Sequence, residues 1–303
     1  MSAVLVESGP DKGAIWHFGQ PAQEQRALEE GKAWADLSHL SIISIGGLDR
    51  LKWLHDLTTQ YLLDLPAGQW RDGLILDPNG RVEYQFNLVD DGATTFLVLD
   101  PDYADNLLAY LMKMRFMLKV EPANASAEFV VLRAPGTPTD IGGPFALVPR
   151  FELEAMKKVF NENAREVGTW ALDAERVAAG RPRHGIDTDN KSIPNELGLL
   201  NKSVHMNKGC YRGQETVAKV FNLGAPPRRL VMLHLDGSAV IFPEPGTPVE
   251  NNGLQVGFLG TVARHHELGP IALALVKRTT PTDATLTVSG ITAAQEIIVK
   301  GTK

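Results

Sequence analysis

The sequence predicts an α+β protein whose C-terminal part is a small all-β barrel. Helical and strand-like patterns mix over roughly the first 225 residues without a regular βαβ alternation. Two turns of hairpin type, Asp77-Pro78-Asn79-Gly80 and Asp90-Asp91-Gly92, lie between β-rich runs. Beyond Pro226-Pro227 the chain alternates short β runs with Pro, Gly and Asn turns.

The elements follow in order. Pro21 opens a helix expected over 21–35, and Leu40 to Ile45 reads as a strand. Leu51, Leu54 and Leu57 place a short helix over 48–57. A meander follows at 74–76, 81–89 and 94–99. Asp100 then precedes Pro101 at the start of a helix with Leu107, Leu108, Leu111 and Met114 as its apolar stripe. A strand is expected at 128–132. Four prolines and three glycines make 134–149 read as a connection between two lobes. Helices are expected over about 152–166, with Leu153, Met156, Val159 and Phe160 inward, over 170–179, and from Gly213 to Val220. Barrel strands are expected at 230–235, 254–262, 271–276 and 285–288. The expected organisation is residues 1–225, with lobes about 1–134 and 150–225, followed by a barrel over 226–303.

Composition excludes several classes. The chain has 303 residues, 44% hydrophobic and 22% charged, enough for a core without disulfides or metals. No run of 18 apolar residues offers a membrane span, and no secretory signal is visible, so a cytoplasmic protein with no membrane partner is expected. One cysteine, Cys210, forbids an internal disulfide. Net charge is −6, yet residues 176–230 hold ten Lys/Arg against four Asp/Glu, a local +6. That asymmetry fits an anionic ligand or internal ion pairs equally well. Walker, dinucleotide and zincin motifs are absent. His265-His266 sits on an expected strand, where adjacent side chains point apart, so no metal site is assigned.

The informative stretch is Lys208-Gly209-Cys210-Tyr211-Arg212-Gly213-Gln214-Glu215. If it is extended, Lys208 and Arg212 share the sulfur's side and favour the thiolate. On residue chemistry alone, a buried cysteine acting as a small hydrophobe is the commoner reading. Upstream, Arg183 and Glu196 suit either a ligand with carboxylate and amide-like groups or a structural ion pair.

These residues resemble the signature of the YgfZ family of folate-binding proteins, a branch of the glycine-cleavage T-protein superfamily. Looser matches cover most of the chain: His17-Phe18-Gly19, Ala35 to Ser38, Gly47-x-Asp49 with Leu57-Thr58, Arg176 to Asp187, Ile193-Pro194-x-Glu196, and Val256-Gly257 through Val276. The resemblance implies a T-protein-like folate-binding region of two ferredoxin-like lobes plus the barrel. It also implies tetrahydrofolate or a derivative as ligand. The implied role is support of iron–sulfur proteins, including tRNA-modifying enzymes. Cys210 would be the redox or cluster-contacting residue, with Lys208, Gly209, Tyr211, Gly213, Gln214 and Glu215 as its motif. Arg183, Glu196, Tyr84 and Arg176 are the expected folate contacts.

Two departures bear on activity. The superfamily's Asp-Asp pair is absent from the matching region, Gly80-Arg81-Val82-Glu83-Tyr84, and the Glu of its Arg-x-Glu-Ala-Gly motif is replaced by Ala178. The first argues against T-protein-type aminomethyl transfer, which needs a placed carboxylate. The second removes a hydrogen-bond acceptor that the resemblance assigns to pterin recognition, so weaker folate binding, a different pose or another ligand is expected. A folate-dependent aminomethyl- or methyltransferase, with Glu83 as substitute, and a tRNA-binding adaptor are the alternatives. The second has few aromatics to stack bases in its basic segment, only Tyr211 and Phe221.

Overall fold

The computed structural model describes residues 2–136, 145–237 and 241–300. The chain forms two compact units. The first comprises Met1–Ile75, Tyr84–Ala171 and Asn201–Tyr211, and the second Leu76–Glu83, Leu172–Leu200 and Arg212–Lys303.

The first unit is built on two sheets. One has five strands in the order Arg71–Leu76, Val82–Asp90, Thr95–Leu99, Ser41–Gly46 and Glu121–Asn124. Its register sets Ile43 opposite Leu97 and Leu88 opposite Leu97 on the other side. Ile43, Ile45, Leu88, Leu97 and Leu99 then bury against Trp53 and Leu54 of the Arg50–Leu57 helix and Leu107 and Leu111 of the Pro101–Met114 helix. The i, i+4 spacing of Leu107 and Leu111 gives that helix its inward face, and Pro101 starts it where a missing N–H costs nothing. A buried Arg50–Asp90 ion pair, with distances of 2.8 and 2.9 Å, ties helix to sheet.

The second sheet orders Phe145–Pro149, Phe129–Arg133, Ala33–Asp36 and Arg165–Glu166. It corrects three expectations. The helix from Pro21 ends at Glu29, because Gly31 turns left-handed at φ +67°, and Ala33–Asp36 is a strand. Ala33, Trp34 and Ala35 are all buried, so the strand lacks the alternation that reveals a half-exposed one. Phe145–Pro149, expected within a connection, pairs with Phe129–Arg133, while 137–144 lie outside the described residues. The following helix spans only Leu153–Asn161. Leu153, Met156 and Phe160 pack on Trp34, but Val159 lies off that stripe and is exposed.

The second unit contains a closed barrel in the order Arg228–Leu235, Gly269–Lys277, Leu254–His265, Pro248–Asn251, Leu286–Val288 and Ile291–Ile297. Inward residues such as Val231, Leu233, Leu259, Ala272, Ala274 and Val288 fill it. The sequence reading missed two of its strands. Pro248–Asn251 is short and polar, and Ile291–Ile297 carries Ala293 as its one fully buried contact. His265 closes its strand, so its ring stacks on His266 at 4.8 Å instead of pointing away, and its Nδ1 accepts the Glu267 and Leu268 amides.

Candidate functional site

Cys210 is exposed on an irregular segment, which corrects the buried reading. The segment does not hang free. Thr59-Gln60, just past the Arg50–Leu57 helix, clamps it. The Thr59 hydroxyl donates to the Ser203 carbonyl at 2.6 Å, the Gln60 amide donates to Lys202 at 2.9 Å, and the His205 N–H donates to Thr59 at 2.9 Å. Lys208 completes the clamp. Its side chain is buried, and its ammonium donates to the carbonyls of His55, Thr58 and Gln60. His55 lies in the last turn of the Arg50–Leu57 helix, where carbonyls lack intrahelical partners at the negative end of the dipole; Thr58 is its C-cap and Gln60 follows just beyond. The Tyr211 ring lies 5.3 Å from the same ammonium. Burial pushes Lys208 down to about 8 against the pull of Asp56, and burial pushes Tyr211 up to about 12. Burial and the Lys208 charge lower His55.

Lys208 therefore anchors backbone and is not aimed at the sulfur. Arg212, the second expected cation, pairs instead with Glu83 at 3.0 Å. Glu83 is thus engaged at the position proposed for a substitute catalytic carboxylate. Gly213 begins the Gln214–Leu223 helix at φ +80°, and a Cβ there would meet the Asp77 carbonyl at 2.5 Å, so the turn at 77–80 requires glycine at this motif position. Glu215 sits in the first turn of that helix, where a negative charge suits the dipole. Gly209 has no neighbour that a Cβ would meet, and nothing in the structure explains it.

Most of the basic segment is consumed within the protein. Arg176 donates to Asp187 and Thr261 at 2.7 Å, to the Arg181 carbonyl at 2.9 Å and to Asp173 at 3.0 Å. Arg181 pairs with Glu175. Glu196 is held by Arg228 through both oxygens, at 2.9 and 2.8 Å, and its partner is not Arg183. Arg228 also grips Asp189 at 2.7 and 3.1 Å. Burial raises the Asp189 carboxyl, but Arg228, Ser192 and the Lys191 amide outweigh it and hold it at about 2. The same acids hold Arg228 well above its ordinary value despite burial.

This network bears on the expected folate contacts. Every guanidinium nitrogen of Arg176 already has an acceptor, and both oxygens of Glu196 have donors. Both residues are thus engaged within the protein. The Arg183 backbone N–H donates to Asp187 at 2.7 Å. Tyr84 packs at the edge of the first unit's core, 6.1 Å from the Tyr110 ring. Sequence reasoning missed Arg228, Asp189 and the Thr59-Gln60 clamp. Only the Leu57-Thr58 match pointed near the last.

The comparisons agree with this architecture. The family model for the CAF17 C-terminal beta-barrel domain matches residues 228–297. The tRNA-modifying protein YgfZ of Buchnera aphidicola is 31% identical over 139 residues, 44% of this chain and 42% of that protein. An iron–sulfur cluster assembly factor IBA57 homolog of Mycosarcoma maydis is 23% identical over 247 residues, 71% of this chain and 61% of that one. Together these matches support a YgfZ/IBA57-type, T-protein-like family for the chain. A crystal structure of the glycine cleavage system aminomethyltransferase T from Bartonella henselae superimposes with a TM-score of 0.82 at 17% identity, covering 97% of this chain and 92% of that one. That likeness concerns the fold. The chain shares that fold, and Glu83, within the Gly80–Tyr84 stretch, is ion-paired with Arg212.

Proposed function

We propose that this protein is an accessory factor for iron–sulfur enzymes, including tRNA-modifying ones, and that Cys210 is its redox or cluster-contacting group. The observation that carries the reading is an exposed thiol on a backbone fixed by Lys208 and Thr59-Gln60. A structural cysteine needs burial. A working one needs access, and a rigid base that presents it in one geometry. The names of the IBA57 and YgfZ relatives support the same role. The single, unpaired thiol supports work in a reducing compartment such as the cytoplasm. Among the described residues, no helix is long and apolar enough to cross a membrane.

A reduced folate is the ligand we assign by family resemblance. With Arg176 and Glu196 engaged by the protein, other side chains must meet it. Calorimetric titration of the purified protein with a stable reduced folate at near-physiological salt tests this part. Saturable binding at one site is expected, and it should persist in Glu83→Gln, which a transferase using Glu83 would also tolerate in binding but not in turnover. Absence of heat from a folded sample would remove folate from the account. Turnover of an aminomethyl donor, lost in Glu83→Gln, would instead favour the transferase reading.

A further inference from the structure

The first unit holds a cavity of about 340 Å³ lined by Gln60, Tyr61, Asp64, Leu65, Arg71 and His205. Its size is within the range of small-ligand sites, roughly 300–1,000 Å³. The wall at Gln60 is rigid, because its amide nitrogen donates to the Asp72 and Lys202 carbonyls at 2.9 Å and its oxygen accepts the Tyr61 N–H at 3.1 Å. Tyr61 is fixed between two imidazoles, with ring centroids 5.0 Å from His55 and 5.3 Å from His205. Two charged groups remain open. Asp64 makes no hydrogen bond or ion pair among the described residues, and Arg71 is bonded only to the carbonyl of its neighbour Trp70. A carboxylate and a guanidinium thus share one cavity without neutralising each other.

We infer that this cavity binds a small zwitterion with an apolar body, its ammonium on Asp64 and its carboxylate on Arg71. A carboxylate suits the planar guanidinium fork. Tyr61 and Leu65 give the cavity lining that an apolar body can contact. A zwitterion meets Asp64 and Arg71 together, whereas a ligand with one charge gains only one of these two charge-assisted contacts, so both charges contribute to selection. The inference does not depend on the folate reading.

The test uses calorimetry on the full chain with L-phenylalanine and L-leucine as probes. Each is matched by its amide, which lacks the carboxylate, and by its acid without the amino group. At least one amino acid is expected to bind saturably, with both one-charge partners weaker by about tenfold or more. Asp64→Asn should remove the discrimination against the acid only, and Arg71→Gln the discrimination against the amide only. Both side chains lie outside the core, and an unchanged melting curve confirms the fold of each variant. No saturable binding of either amino acid, equal binding of charged and truncated probes, or discrimination that survives both variants would each overturn the assignment.

Discussion

Replacing Arg228 with methionine costs the fold about 4 kcal/mol, the range found when one partner of a buried ion pair is removed. The Glu196 side chain is 1% exposed, and without Arg228 its carboxylate keeps, among the described residues, only the Ile193 amide at 3.3 Å. Asp189 loses its guanidinium in the same step. Adding Glu196→Gln to Arg228→Met should recover part of the loss, because a neutral amide tolerates burial better than an unpaired charge. Thermal melts check this, and a melting temperature within about 2 °C of wild type would contradict it. The acid limb carries a second signature. The folded Asp189 carboxyl stands at about 2 against an ordinary 3.8, so its contribution is complete above 3.8 and is lost as pH falls toward 2. Asp189 is partly solvated, which reduces the size of the effect but not its sign. Arg228→Met should lose this acid dependence.

Lys208→Met is the second large effect. It leaves the carbonyls of His55, Thr58 and Gln60 without their donor, for a loss of about 3 kcal/mol. The damage is also local, because Tyr211 loses the cation beneath its ring and Cys210 loses its base. Amide exchange at Gly209 to Tyr211 should speed up by about tenfold or more, while the barrel strands keep their protection. Lys208→Arg should rescue only in part, since a planar guanidinium cannot converge three donors on one helix end as an ammonium does. Unchanged exchange at Gly209 to Tyr211 in Lys208→Met would show that Lys208 does not hold the thiol segment.

How legible each feature was depended on the range of the interactions that create it. The hairpin turns, the Pro101 start and the four strongest barrel strands are local matters of backbone preference, and they stand close to where residue pattern put them. Ala33–Asp36 was hidden because tertiary burial on both faces erased its alternation. The motif was visible as an unusual string, but its physics was not. Lys208 looked like a cation for the sulfur, yet its acceptors are about 150 residues earlier in the chain, and nothing near Lys208 announces them. Glu196 and Arg228 are 32 residues apart, with a helix and a double proline between them. The cavity at Gln60 joins the 60–71 stretch to His205 by the same kind of long-range closure.

The most direct test of the account is complementation of a strain lacking this gene with wild type or Cys210→Ala, read out as the activity of an iron–sulfur enzyme that modifies tRNA. The side chain is exposed, so the purified variant should melt with wild type. The account predicts that Cys210→Ala, although folded, restores no more activity than an empty vector. Full activity from Cys210→Ala would contradict the central claim that this thiol is the working group of the protein.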